Sequence, residues 1–159
     1  MSPSTEGLES MRLVREIAAP PEKIYDAWIN PEQLIRWIGP EQFEVTRTEV
    51  EPKVGGRAQI WAKREGTEIG LFNWDFVEMV PPERLVLDFA FADREKEPDS
   101  HRSRLTLEMR EQDPGVTELT LIHERLKPDS PQDAAGVTEG WGEVIGRLQG
   151  HLEPSGKGE

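Results

Sequence analysis

The sequence predicts an α+β fold in which a bent antiparallel sheet wraps around one long C-terminal helix. The first observation is an apolar stripe at helical spacing within 131–152, made of Val137, Trp141, Val144, Ile145, Leu148 and Leu152. A helix of about 22 residues is roughly 33 Å long, so this stripe needs a broad partner surface. The second observation is a succession of strand-like segments upstream, which supplies that surface. The third is the lack of strand–helix–strand alternation, which a parallel sheet would require.

Composition restricts the classes of function. The 159 residues suffice for one domain with a sizeable core. A net charge of −12 disfavours nucleic acid and anionic membrane surfaces as partners. No cysteine is present, which excludes disulfides and thiolate nucleophiles. Without an apolar run of about 18 residues or a signal-peptide pattern, we expect a cytoplasmic protein.

Both ends of the chain are small and polar, which is typical of disordered tails. We therefore expect a single domain over residues 11–153, with disordered tails at 1–10 and 154–159. The alternation of side chains over 11–18 predicts the first strand.

Two short helices follow the first strand. Pro20-Pro21 ends the strand and opens a helix whose apolar face holds Ile24, Ala27 and Trp28. Asn30 is placed to cap a second helix, with Pro31 at its first position and Gln33 spaced for a capping box. The apolar face of this second helix comprises Leu34, Trp37 and Ile38. A pair of helices joined at this bend suits closure of one end of a curled sheet.

Strands are predicted from residue 43 onward. Gly55-Gly56 forms a turn between the strand that begins at Phe43 and the alternating stretch 57–63. The long run 67–80 has Phe72, Trp74 and Phe76 on one face and Leu71, Asn73, Asp75, Val77 and Met79 on the other. Because both faces carry apolar groups, the pattern leaves open which face points inward. The stretch 85–91 has one clean apolar face.

Two more strands and the long helix complete the chain. A charged loop over 93–100 precedes an alternating strand at 104–110, and the turn Asp113-Pro114-Gly115 leads to another at 117–123. In total the pattern predicts about six to seven strands. Ser130 is placed to cap the long helix and Pro131 to occupy its first position.

Several short segments resemble the activator-of-heat-shock-protein-90-ATPase-like family of the START-like (SRPBCC, birch-pollen-allergen-like) superfamily. The resemblance covers about residues 11–152. It is carried by Arg15-Glu16-Ile17-Ala18-Ala19-Pro20, Ala27-Trp28, Asn30-Pro31-Glu32, Leu34, Arg36-Trp37, Gly39-Pro40, Gly55-Gly56, Glu78-Met79-Val80-Pro81-Pro82-Glu83-Arg84-Leu85-Val86, Thr117-Glu118-Leu119-Thr120 and Gly140-Trp141. It implies a helix-grip fold with a cavity between the sheet and the C-terminal helix.

This resemblance does not imply one function. Relatives include chaperone activators, polyketide cyclases, antibiotic-resistance proteins and small-molecule binders. The chain departs from the common pattern, since the usual Trp-Trp pair is Trp37-Ile38 and aromatic positions after the Gly-Gly turn are Ala58 and Ala62. Either change reshapes a cavity.

No motif points to catalysis or to a metal. The three histidines, His101, His123 and His151, are far apart and form no HExxH or HxH motif, so we expect no metal site and no cofactor. There is no G-x-S-x-G elbow, and we assign no catalytic residue. Acidic pairs are frequent by chance in a chain with 31 acidic residues.

The candidate site is therefore a ligand pocket between the sheet and the C-terminal helix. Its expected lining is Trp37, Ile60, Trp74, Phe76, His123, Trp141 and Val144. Each of these also fits an ordinary core: His123 is either a hydrogen-bonded core histidine or the polar anchor of a ligand. We expect Ala58 and Ala62 on the sheet to face Gly136, Gly140 and Gly142 on the helix. These small residues would leave the volume that the pocket needs.

Three functions remain open. The first is binding of a small hydrophobic molecule, aromatic or polyketide-like, by a monomer or homodimer. The second is a cyclase- or hydrolase-like enzyme with His123 and an acid from 73–78 in acid–base roles. The third is a chaperone-binding module that works through its surface.

Overall fold

The computed structural model describes residues 8–39, 43–92, 96–97, 99–128, 130 and 133–153. Of the tails predicted at 1–10 and 154–159, residues 1–7 and 154–159 lie outside the described residues, whereas Glu9 and Ser10 belong to the first strand. The elements are β1 (Glu9–Ile17), α1 (Pro21–Ile29), α2 (Pro31–Trp37), β2 (Glu44–Val50), β3 (Arg57–Arg64), β4 (Thr67–Val80), β5 (Arg84–Ala90), β6 (Ser103–Asp113), β7 (Val116–Leu126) and α3 (Ala134–Leu152).

The strands form one antiparallel sheet in the order β1-β7-β6-β5-β4-β3-β2. The connection between β1 and β2 leaves the sheet and contains α1 and α2. The helix α3 packs on β1 and α2, while α1 reaches β6. The predicted helix-grip architecture is confirmed, with one hydrophobic core between the inner face of the sheet and the three helices.

The turns form where the glycines predict them. Gly55 has a φ of +86° and Gly115 a φ of +78°, a region that disfavours residues with a Cβ. Gly56 serves a different purpose, since an added Cβ would lie 2.2 Å from the carbonyl oxygen of Glu51.

The open question of β4 has a clear answer. Phe72, Trp74 and Phe76 point inward and are buried. After a bulge between Phe76 and Glu78, Met79 is partly buried against the core, and Val77 and Val80 are each 40% exposed.

Capping differs from the prediction at two helices. The helix α3 begins at Ala134 with Asp133 as its N-cap, because the side chain of Asp133 accepts the Gly136 N–H at 2.9 Å. The Ser130 hydroxyl instead donates to the carbonyl of Lys127, and Pro131 lies outside the described residues.

At α2 the predicted Asn30 cap is confirmed, since its side chain accepts the Glu32 N–H at 3.0 Å. The predicted capping box does not form. The Gln33 amide donates to the Asp26 carboxylate instead, which ties α2 to α1.

The helical glycines were expected on the face that packs against the sheet, and this is wrong. Gly136, Gly140 and Gly142 are each half-exposed on the flanks of α3. A Cβ added at Gly140 or Gly142 would contact nothing within 4 Å. Ala58 and Ala62 do face the core and are fully buried. No helix in the described part of the chain is long and apolar enough to cross a membrane.

Candidate functional site

The structure brings all seven expected site residues into the interior. Each of them has at most 4% of its surface exposed: Trp37, Ile60, Trp74, Phe76, His123, Trp141 and Val144. They come from α2, β3, β4, β7 and α3, so the site assembles from most of the chain.

Trp28 links the tryptophans of this group, although it is absent from the expected lining. Its ring centroid lies 4.8 Å from that of Trp37, 5.9 Å from that of Trp141 and 6.1 Å from that of Trp74. The apolar face of α1 that contains Trp28 is evident in the sequence. Its central position is not, because that depends on how α1 folds back over the sheet.

Phe89 on β5 is the second central ring that sequence reasoning missed. It stacks on Trp74 with centroids 5.8 Å apart and contacts Trp141 at 5.9 Å and His123 at 5.1 Å. Rings from α1, α3 and the sheet therefore meet in the space where a cavity was expected.

A chain of hydrogen bonds crosses this space from α3 to β5. The Trp141 indole N–H donates to Nδ1 of His123 at 3.0 Å. Nε2 of His123 lies 2.7 Å from the Ser103 hydroxyl, which in turn donates to the Phe89 carbonyl at 3.2 Å. We call Trp141, His123, Ser103 and the Phe89 carbonyl the relay.

The hydrogen bonds of the relay determine which ring nitrogen of His123 carries the proton. An indole N–H only donates, so Nδ1 must be the unprotonated nitrogen and Nε2 must carry the proton. Nε2 then donates to Ser103, whose own proton goes to Phe89. Burial lowers the pKa of His123 from 6.5 to about 3, so the ring is neutral at physiological pH.

The four buried indoles of this core fall into two pairs, one with hydrogen-bond partners and one without. Trp37 donates to the Ala27 carbonyl at 3.1 Å, as Trp141 donates to His123. The indole N–H groups of Trp28 and Trp74 are fully buried and have no acceptor in the described structure. We call Trp28 and Trp74 the unpaired indoles.

A pocket of about 220 Å³ opens beside the relay, at the edge of the sheet where β5 and β7 end and β6 begins. It is lined by Phe91, Ser100, His101, Ser103, Leu126, Lys127 and Ser130. Phe91 and Leu126 make its apolar wall, and the buried Ser103 connects it to the relay. We call it the strand-end pocket.

The acidic stretch of β4 does not join His123. Asp75 lies on the opposite face of β4 from Trp74 and pairs with Arg57 at 3.5 Å and with Arg102 at 3.7 Å. Asn73 donates to the Ala92 carbonyl and accepts from Arg102. These groups hold neighbouring strands together on the outer side of the sheet.

Comparison with known proteins assigns the chain to a family. The family described as "Activator of Hsp90 ATPase homolog 1-like protein" matches residues 18–153, which span every helix and all strands after β1. The chain belongs to this family. Among curated proteins, no sequence matches the chain.

Solved structures support the assignment. A protein from Chromobacterium violaceum is 26% identical with a TM-score of 0.78, over 92% of this chain and 98% of that one. A protein from Arthrobacter aurescens is also 26% identical, with a TM-score of 0.76 over 93% and 87%. An HSP90 activator from Plasmodium falciparum is 22% identical, with a TM-score of 0.65 over 88% and 93%, a likeness that shows the fold alone.

Proposed function

We propose that this family member binds a small hydrophobic molecule, aromatic or polyketide-like, between the sheet and α3. The observation that carries the proposal is the continuity between the strand-end pocket and the aromatic core. Phe91 lines the pocket, and its ring centroid is 4.9 Å from that of Phe89, the ring that contacts both Trp74 and Trp141.

The seven buried residues expected from the sequence are proposed as walls of the occupied site. At about 220 Å³ the strand-end pocket is smaller than the roughly 300–1,000 Å³ of typical ligand sites. A molecule of two rings therefore needs movement of Phe91, which is half-buried at the pocket edge.

Catalysis by a Ser103–His123 pair is disfavoured by the hydrogen bonds of the relay. A histidine that activates a serine must accept the serine proton. In the relay Trp141 occupies the only lone pair of the ring, at Nδ1, and Nε2 already carries a proton. We therefore propose binding without turnover.

Activation of a chaperone ATPase is a weaker proposal for this chain. The family description and the Plasmodium falciparum structure name that activity for other proteins. No particular surface of the described structure favours it over ligand binding.

Uptake of the neutral fluorescent probe N-phenylnaphthylamine tests the proposal. We expect saturable binding by the parent protein. Ser100→Phe places a ring at the pocket edge and should abolish uptake, whereas Thr67→Phe, at the exposed start of β4, is the matched control and should not. A parent protein that takes up no probe, or equal uptake by both variants, would contradict the proposal.

A further inference from the structure

We propose that the molecule bound in this core is neutral and carries a hydrogen-bond acceptor, such as a ketone, ester or lactone oxygen, that pairs with the indole N–H groups of Trp28 and Trp74. This inference rests on the proposed function and names the chemical class of its ligand.

Both indole donors are buried without a partner. Trp28 and Trp74 have no exposed surface, and neither indole N–H has an acceptor in the described structure. The large majority of buried polar side-chain atoms in proteins are hydrogen-bonded. Because an indole N–H can only donate, its missing partner must be an acceptor.

The other two buried indoles of this core are satisfied by the protein. Trp37 and Trp141 each donate to a protein acceptor at 3.0–3.1 Å. Among the four buried indoles, the lack of partners is therefore confined to Trp28 and Trp74, whose ring centroids are 6.1 Å apart. A single ligand of one or two rings can reach both.

A path of aromatic rings leads from the strand-end pocket to these donors. Phe91 lines the pocket and contacts Phe89, and Phe89 stacks on Trp74 at an interplanar angle of 13°. In the proposed binding mode, a flat apolar molecule enters beside Phe91 and follows these rings to Trp74.

The charge of the core restricts the ligand further. The buried polar residues of the described structure are uncharged: Asn73, Ser103, Thr106, Thr117, Thr120 and His123. A carboxylate placed beside Trp28 and Trp74 would find no cation among these buried residues, and an unpaired buried charge is far more costly than a neutral polar group. The acceptor is therefore neutral.

Three probes of similar shape separate these possibilities. Benzophenone has a neutral acceptor, diphenylmethane has none, and diphenylacetate carries a charge. We expect benzophenone to bind roughly tenfold more tightly than diphenylmethane, the equivalent of about one to two net hydrogen bonds, and diphenylacetate to bind weakest. In ¹⁵N–¹H spectra, benzophenone should move the indole signals of Trp28 and Trp74 downfield, and diphenylmethane should not.

Single substitutions assign the signals and test the preference. Trp28→Phe and Trp74→Phe should each reduce the preference for benzophenone over diphenylmethane. Trp61→Phe is the control, because Trp61 lies half-buried against the Arg47 guanidinium, outside the proposed site. It should keep the full preference.

The outcomes separate the two proposals. Equal binding of benzophenone and diphenylmethane, with the signals of Trp28 and Trp74 unmoved, would overturn the acceptor but leave hydrophobic binding standing. Tightest binding of diphenylacetate would overturn the neutral class. If none of the three probes binds, the proposed function fails together with this inference. The affinities of the parent protein for the three probes decide between these outcomes even if a variant does not fold.

Discussion

The relay and the unpaired indoles lie in the same core but differ in how their polar groups are satisfied. In the relay, every donor from α3 to β5 has an acceptor within 3.2 Å. In the unpaired indoles, two buried donors of the same chemical type have none. One short path of rings, through Phe89, connects the two regions.

The difference separates stability from binding. A satisfied chain of hydrogen bonds fixes the positions of α3, β7, β6 and β5 relative to one another. A buried donor without a partner costs about 1–3 kcal/mol, so the unpaired indoles lower the stability of the free protein. A ligand acceptor would recover that free energy on binding. We infer that α3 and its strands form the rigid half of the core and that α1 and β4 supply the donors that pair with the ligand.

Truncation of Leu148 should have the largest effect. This residue is fully buried on α3 within the hydrophobic core, so Leu148→Ala is expected to destabilise the protein by about 2–5 kcal/mol. Urea denaturation measures this loss in the free energy of unfolding, against which the smaller effects below can be compared. A loss below about 1 kcal/mol would show that α3 is not tightly packed.

Acid should weaken the rigid half through His123. Its pKa is about 3 in the folded protein and 6.5 when unfolded, so below pH 6.5 the unfolded chain binds a proton that the folded chain excludes. Stability is present above pH 6.5 and is lost as pH falls towards 3, by about 3 kcal/mol between pH 7 and pH 4. The unfolding free energies of the parent and of His123→Leu at both pH values isolate this contribution. An equal fall in both proteins would contradict it.

Removal of His123 should destabilise the protein at neutral pH, by less than the loss of Leu148. In His123→Leu the Trp141 N–H loses its acceptor, and we expect a loss of about 1–3 kcal/mol at pH 7. Below about pH 5 the order should reverse, because leucine has no proton to exclude. Plots of unfolding free energy against pH for the two proteins should therefore cross near pH 5. Higher stability of the variant at pH 7 would mean that the relay stabilises nothing.

The smallest expected effect is on the outer side of α3. Gly142 is in a helical conformation with open space at its Cβ position, so Gly142→Ala should stabilise the protein by up to about 1 kcal/mol. Thermal unfolding measures the gain. Probe uptake should be unchanged, because this glycine does not face the core. Reduced uptake would indicate that the flank of α3 takes part in binding.

The sequence predicts the architecture well because each element has a local signal. The stripe of α3, the Asn30 cap and the turn glycines all depend on neighbouring residues. The relay could not be predicted, because it depends on a register that places Ser103 opposite Phe89 and Leu105 opposite His123.

The face of β4 was also undecided in the sequence, since only packing shows that Trp74 points inward and Leu71 is half-buried. The expectation for Gly136, Gly140 and Gly142 on α3 is wrong for a simpler reason. They lie off the apolar stripe of the helix, so helical spacing alone puts them on its flanks and not against the sheet.

The indole region of the ¹⁵N–¹H spectrum of the ligand-free protein tests the contrast between the two regions most directly. The signals of Trp37 and Trp141 should lie downfield and exchange slowly with solvent, because both N–H groups are hydrogen-bonded within the core. Those of Trp28 and Trp74 should lie upfield of them, because their N–H groups have no acceptor. If all four signals lay equally far downfield, Trp28 and Trp74 would already have partners in the free protein, and neither indole would be available to a ligand acceptor.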